Sequence, residues 1–245
     1  VAALEPALSA LRLESAGMIG TPDPARWTEQ PPERFGPMSG YCWRTDPRHV
    51  LFTLARYQVV AKLLAGRDRV LEIGCADAFG TRLVAAETRW AVTAIDYDGA
   101  MIDAAKQQTW AQGRHPKIDV YQHDLLLGGP IPGHDAAYAV DVLEHIPAAH
   151  EATFLRHACQ SITPDGVLVV GTPSRESQAY ASAPSREGHV NCKTQDELRA
   201  LMSQHCKTVF TFGQNDATFH IGYGPMCHYL WAVGVTPRVN PRPVR

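Results

Sequence analysis

From residue 46 to residue 206 the chain alternates short apolar runs with apolar stripes at helical spacing. DPRHVLFTLARYQVVAKLLAG (46–66) has Pro47 at its first helical position and Gly66 just past its end, so it predicts a helix. RVLEIG (69–74), WAVTAIDY (90–97), KIDVYQHD (117–124), DAAYAVDVL (135–143) and GVLVVGTP (166–173) predict buried strands. Between them, TRLVAAE (81–87), DGAMIDAAKQQ (98–108, capped by Asp98) and PAAHEATFLRHACQSI (147–162) predict helices. Such a succession predicts a mostly parallel α/β sheet covered on both faces.

The tail breaks the alternation. TQDELRALMSQHC (194–206) is a helix with Thr194 as cap and Glu197 completing a capping box. Two strand candidates follow, 208–213 and 228–235, and the link 214–227 is too short for a crossover helix. They therefore predict an antiparallel pair closing a seven-stranded sheet. Ahead of the first helix, residues 17–40 are dense in Pro and Gly and read as an irregular arm. The expected organisation is an arm or lid over 1–45 and one domain over 46–245, with insertions at 174–193 and 214–227.

Composition narrows the classes. A chain of 245 residues, 45% hydrophobic and 20% charged, has the balance of a globular domain rather than a disordered one. Its net charge of −2 gives no general attraction to nucleic acid or anionic membrane. No apolar run reaches the roughly 18 residues of a membrane span, and residues 1–17 lack the cationic start of a signal peptide. The six cysteines contain no CxxC pair and read as reduced thiols, so a cytoplasmic protein is expected, monomeric or homodimeric.

Candidate chemistry gathers at the strand ends. The first strand ends in Glu72-Ile73-Gly74-Cys75-Ala76-Asp77-Ala78-Phe79-Gly80. Parallel sheets of this kind receive ligands at the carboxyl ends of their strands, so Gly74 marks a close approach to backbone. Asp96 and Tyr97 end the second strand, His123-Asp124-Leu125 the third, and Asp141-Val142-Leu143-Glu144-His145-Ile146-Pro147 the fourth. Together with SITPDGVLVVGTP, this order resembles the class I S-adenosylmethionine-dependent methyltransferases of the small-molecule type. Their usual loop is E/D-x-G-x-G-x-G, and here Ala76 and Ala78 replace two glycines. The resemblance covers roughly residues 45–240 and implies a Rossmann-like doubly wound sheet with an antiparallel C-terminal hairpin.

It also implies S-adenosylmethionine as cofactor and S-adenosylhomocysteine as product. Glu72 is expected to receive the methionine ammonium or orient the loop, with Gly74 beside it. Asp96 is expected on the ribose hydroxyls, Tyr97 over the adenine, His123-Asp124-Leu125 around the adenine amine, and Asp141 at the rim. Tyr41 and Arg44, on the arm, are expected to close over the cofactor. A protein of this type transfers a methyl group to a nucleophile, and proximity in a dry site is most of the catalysis. An acceptor that must lose a proton needs a base, and His145 and His189 are the candidates.

No N/D-P-P-Y/F segment follows the fourth strand, so a small-molecule acceptor is expected rather than nucleic acid. A catalytically silent cofactor-binding protein on the same fold is the alternative, suggested by Ala76 and Ala78. No metal is expected: the scattered His and Cys residues follow no ligand spacing. Asp141 and Glu144 are the carboxylates that a metal-dependent relative would use.

Overall fold

The computed structural model describes residue 29 and residues 32–108 and 117–238. The chain divides into two units, 1–34 and 35–245, and every element below belongs to the second. Helix α1 (Pro37–Thr45) precedes α2 (Pro47–Leu63), and Asp46 links them, ending the first and accepting the Arg48 N–H to cap the second. An arm irregular through residue 40 is thus corrected. Pro37 starts a helix there because a proline in the first turn gives up an N–H that has no helical partner anyway. Residues 17–28, 30 and 31 of the expected arm lie outside the described residues.

The alternation then runs β1 (Arg69–Ile73), α3 (Thr81–Glu87), β2 (Ala91–Asp96), α4 (Gly99–Lys106), β3 (Ile118–Gln122), β4 (His134–Val140), α5 (Ala148–Gln160) and β5 (Ile162–Pro173). After these come α6 (Ala183–Gly188), α7 (Gln195–His205), β6 (Cys206–Asn215), β7 (Thr218–His220) and β8 (Tyr229–Pro237). The capping box at Thr194 and Glu197 forms as the spacing requires, and Asp98 accepts the Ala100 N–H.

The sheet order is β3-β2-β1-β4-β5-β8-β6-β7. Strands β1 to β5 pair in parallel, whereas β8 lies antiparallel between β5 and β6. The expected count of seven is corrected to eight, because Thr218–His220 turns back on β6 inside the expected link. Three residues are too few for an alternation signal. Strand β4 also stops at Val140, short of the expected 143, because Asp141 has φ +57° and leaves the sheet.

Two apolar layers sandwich the sheet. Val70, Val92, Ala136, Tyr138, Val169 and Trp231 face α2 and α3, while Leu71, Ile95, Ala137, Leu168 and Leu230 face α5 and α7. Alternate residues of each strand take opposite faces, as the pleat dictates. This is a doubly wound α/β sheet with an antiparallel C-terminal end. Chain order reverses between β1 and β4, so a crevice opens at their carboxyl ends.

Candidate active site

Gly74 leaves β1 with φ +79°, and a Cβ there would collide with Val142, two residues past the end of the neighbouring β4. Glycine is required on both counts. The loop then places Ala76 at φ 47° and Ala78 at φ 55°. The alanines therefore hold the left-handed backbone that the missing glycines would supply. Asp96 fixes this bend: Oδ2 accepts the Ala76 N–H at 2.8 Å and Oδ1 accepts the Asp98 N–H at 2.9 Å. Each carboxylate oxygen keeps a second acceptor position.

Glu72 does not open onto the crevice. It is 1% exposed, on the face of β1 toward α2, and its Oε1 accepts the Tyr57 hydroxyl at 2.6 Å. Burial raises its pKa, and the hydroxyls of Thr81, Tyr57 and Tyr138 pull it part of the way back. Oε2 is buried without a well-directed partner. Of its two expected roles, this geometry offers loop support.

The loop also anchors α1. Asp77 is fully buried, and its Oδ2 accepts both the N–H and the hydroxyl of Ser39 at 2.8 Å. Phe35 stacks on Trp43 and leans on Phe79 of the loop. Helix α1 thereby carries Tyr41 and Arg44 along the loop, with the Tyr41 ring exposed. Tyr97 stands open beside Asp96, 73% exposed.

At the end of β3, Asp124 Oδ1 accepts the Leu126 and Leu127 N–H groups, and His123 Nε2 meets the Gly129 carbonyl. The Leu125 side chain is buried in the core, so only its backbone can face a ligand. Asp141 is held at the end of β4 by Arg56, whose Nη1 lies 2.7 Å from Oδ2. The guanidinium in turn stacks 4.1 Å over the Tyr229 ring. Neither Arg56 nor Tyr57 carries a sequence signal, because each sits inside an ordinary amphipathic helix.

Beyond Asp141 the short 3₁₀ turn Leu143–His145 buries Glu144 completely. Its Oε2 accepts the Thr172 hydroxyl at 3.1 Å, while Oε1 has no hydrogen-bond partner. Burial and the neighbouring Asp141 carboxylate push its pKa well above the usual range, and Arg56 opposes them. His145 and His189 meet edge to face, ring centroids 5.2 Å apart. His145 Nδ1 lies 2.9 Å from the Gly188 carbonyl and His189 Nδ1 2.9 Å from Gln178 Oε1. Gln178 Nε2 donates to the Ser174 carbonyl, so Oε1 is the atom turned to His189. Both Nδ1 atoms must donate, so Nε2 is the nitrogen of each ring left for another partner. Burial and His145 lower the His189 pKa and favour its neutral form.

The crevice thus brings carboxylates to the ends of β2, β3 and β4 beside a bent loop, with two imidazoles and the buried Glu144 beyond the last of them. Such acceptors suit a diol, an amine and a cation, which are the groups an adenosyl sulfonium presents. The side-chain-free approach at Gly74 fits the same ligand. Fold and crevice together define a class I methyltransferase fold.

The comparisons agree. Residues 71–168 match the family model described as a methyltransferase domain. A protein named "probable S-adenosylmethionine-dependent methyltransferase" from Mycolicibacterium smegmatis is 32% identical over 146 residues, covering 59% of this chain and 51% of the relative. A counterpart from Mycobacterium tuberculosis is 32% identical over 152 residues, covering 60% and 52%. The chain spans about half the length of these curated relatives. Among solved structures, the methyltransferase domain of bacterial CtHen1-C superposes with a TM-score of 0.60 at 17% identity, covering 75% of this chain and 98% of that one. The N-methyltransferase NodS from Bradyrhizobium japonicum WM9, in complex with S-adenosyl-l-homocysteine, gives 0.55 at 21%, covering 80% and 92%. These two likenesses are of fold. Residues 71–168 thus resemble a methyltransferase domain, and the fold is that of the class I S-adenosylmethionine-dependent methyltransferases.

Proposed function

We propose that this protein transfers the methyl group of S-adenosylmethionine to a nucleophilic nitrogen, oxygen or carbon of a small acceptor. The observation that carries the reading is the loop after β1, bent through Ala76 and Ala78 and held by Asp96. In this reading Asp96 accepts from the ribose hydroxyls, Asp124 from the adenine amine, and Tyr97 covers the purine. His123 and the backbone of Leu125 shape the purine's edge. Gly74 admits the methionine backbone and Glu72 supports the loop from beneath. Tyr41 and Arg44 ride on α1, which shields the site from water. Asp141 lines the rim with its charge balanced by Arg56.

The bound sulfonium supplies an electrophilic methyl group with a good leaving group. The chain's task is to align the acceptor, exclude water and take up a proton where one must leave. His145 and His189, each with Nδ1 engaged, present Nε2 for that purpose. A small acceptor accords with the net charge of −2, which gives no general attraction to nucleic acid. The silent alternative rested on Ala76 and Ala78, and the loop keeps its left-handed bend despite them.

Calorimetric titration with S-adenosylhomocysteine tests the reading, with NAD as a control. Asp96→Ala removes charge-assisted acceptors and should weaken binding by about 2–3 kcal/mol. Unchanged affinity in a folded variant rules out the ribose assignment. Labelled methyl donor incubated with a metabolite extract then reports transfer directly.

A further inference from the structure

Glu144, His145 and His189 each offer one ligand atom, and these atoms lie within 4.8 Å of one another. Glu144 Oε1 is 4.0 Å from His145 Nε2. We propose that these three side chains bind one divalent first-row transition-metal ion, with Zn2+ held more tightly than Mn2+. This inference stands apart from the methyl-transfer reading, since ion binding needs no methyl donor.

Three observations carry it. The Glu144 carboxylate is 0% exposed and yet Oε1, the oxygen turned toward the imidazoles, has no hydrogen-bond partner. A buried carboxyl oxygen without a partner is costly, and a bound cation is one partner that removes the cost. Secondly, each imidazole points its free nitrogen away from an Nδ1–H already given to an oxygen, His145 to the Gly188 carbonyl and His189 to Gln178. That is the arrangement of metal-bound histidines, whose second nitrogen donates to a carbonyl or carboxylate.

Thirdly, the segment carrying His189 is pinned. The Asn191 N–H donates to the Glu144 carbonyl at 3.0 Å and its amide donates to Glu151 Oε2 at 2.8 Å. Lys193 closes the triangle, 2.6 Å from Glu151 and 2.8 Å from Asn191 Oδ1. These ties hold the loop after α6 against α5, so both histidines are set at one edge of the sheet.

Two nitrogens and one carboxylate oxygen suit Zn2+, Co2+ or Mn2+ rather than Ca2+, and leave open positions for water or an oxygen donor. Tetrahedral bonds of about 2.0–2.1 Å place ligand atoms about 3.3 Å apart, so the cluster must contract by about 1 Å. The His145 side chain, 49% exposed, has room to make that movement.

Chelator-treated protein dialysed against Zn2+, Co2+ or Mn2+ should retain one ion per chain, measured by elemental analysis. Co2+ should give visible absorption bands of a low-coordinate nitrogen–oxygen site. The His145→Ala, His189→Ala double variant should lose at least about 100-fold in affinity, and His228→Ala should lose none. Retention of less than half an ion, or an unchanged affinity in the double variant, overturns the site. Should that variant fail to fold, Mn2+ broadening of amide resonances in the native protein decides. Broadening centred on 144–145 and 188–191 supports the site, and broadening centred elsewhere refutes it. None of these readouts involves methyl transfer, so a failed metal site leaves the cofactor titration standing.

Discussion

Replacing Ala76 by glycine should stabilise the protein, against the general expectation for alanine-to-glycine changes. An L-residue in the left-handed region costs roughly 1–2 kcal/mol, and Ala76 stands there at φ 47°. Glycine removes that strain but widens the unfolded ensemble, at about 0.4–1 kcal/mol. The Ala76 side chain is half-buried and outside the apolar clusters, so little packing is lost. The net gain is about 0.5–1 kcal/mol, or about 2 °C in melting temperature for a domain of this size. Had the loop used ordinary backbone angles, the same substitution would cost a little stability.

Ala78 provides the internal control. It has φ 55° and the same strain, but its methyl is fully buried among Cys75, Ala94, Ile102 and Ala105. Losing that methyl costs about 0.8 kcal/mol and cancels the relief, so Ala78→Gly should be close to neutral. Urea denaturation of both variants, with the slope checked for constancy, reads the difference. A loss above about 0.5 kcal/mol in Ala76→Gly, or a larger gain at 78 than at 76, would falsify the strain account.

Two further predictions concern the frame around the crevice. Arg56 and Asp141 are only partly exposed, and a double-mutant cycle of Arg56→Met with Asp141→Asn should show a coupling of about 1–2 kcal/mol, whereas additive losses would show the pair to be idle. His205 is buried with neither ring nitrogen hydrogen-bonded; burial and Arg156 lower its pKa while Glu151 opposes them. Its folded pKa lies below the unfolded value of about 6.5, so above that pH both states are neutral and stability is whole. Below it the unfolded chain binds the proton first, and stability falls by at most about 1.4 kcal/mol per pH unit until the folded pKa is reached. His205→Leu should flatten that slope in melts between pH 7 and pH 5, and an unaltered slope would assign the loss to other groups.

What the sequence declared, it declared locally. Strands β1, β2 and β4 and the second half of β5 are near-continuous apolar runs, and a parallel strand buried on both faces has that signature. Thr194 with Glu197, and Asp98 before α4, are caps formed within a few residues, so spacing alone reveals them. Helix α1 was hidden because Pro37 and Gly40 count as breakers in a window dense with both, and β7 because it is too short to alternate. The crevice divides the same way. Topology puts Asp96, Asp124, Asp141, His145 and His189 at one edge, since each follows or flanks a strand's carboxyl end. It says nothing about Tyr57 beneath Glu72, Arg56 against Asp141, or Thr172 against Glu144, because those partners meet across the fold.

The carboxylates of this edge hold backbone or neighbouring side chains as well as facing the crevice. Asp96 bonds the Ala76 N–H, Asp77 the Ser39 N–H, Asp124 the Leu126 N–H, and Asp141 the Arg56 guanidinium. A change at Asp96 therefore has two consequences, loss of an acceptor for a ligand and release of a loop held in a strained bend. Asp96→Ala conflates them. Asp96→Asn keeps one carbonyl oxygen, and if that oxygen stays on Ala76 the loop remains bent while the charge and one acceptor are gone. Stability should then fall less in Asn than in Ala, while affinity for S-adenosylhomocysteine falls in both. Denaturation and calorimetry on the same two variants separate the terms. Equal stability in the two with graded affinity would mean that Asp96 contributes through the ligand alone. Native affinity in both variants with graded stability would mean that it acts only by shaping the loop.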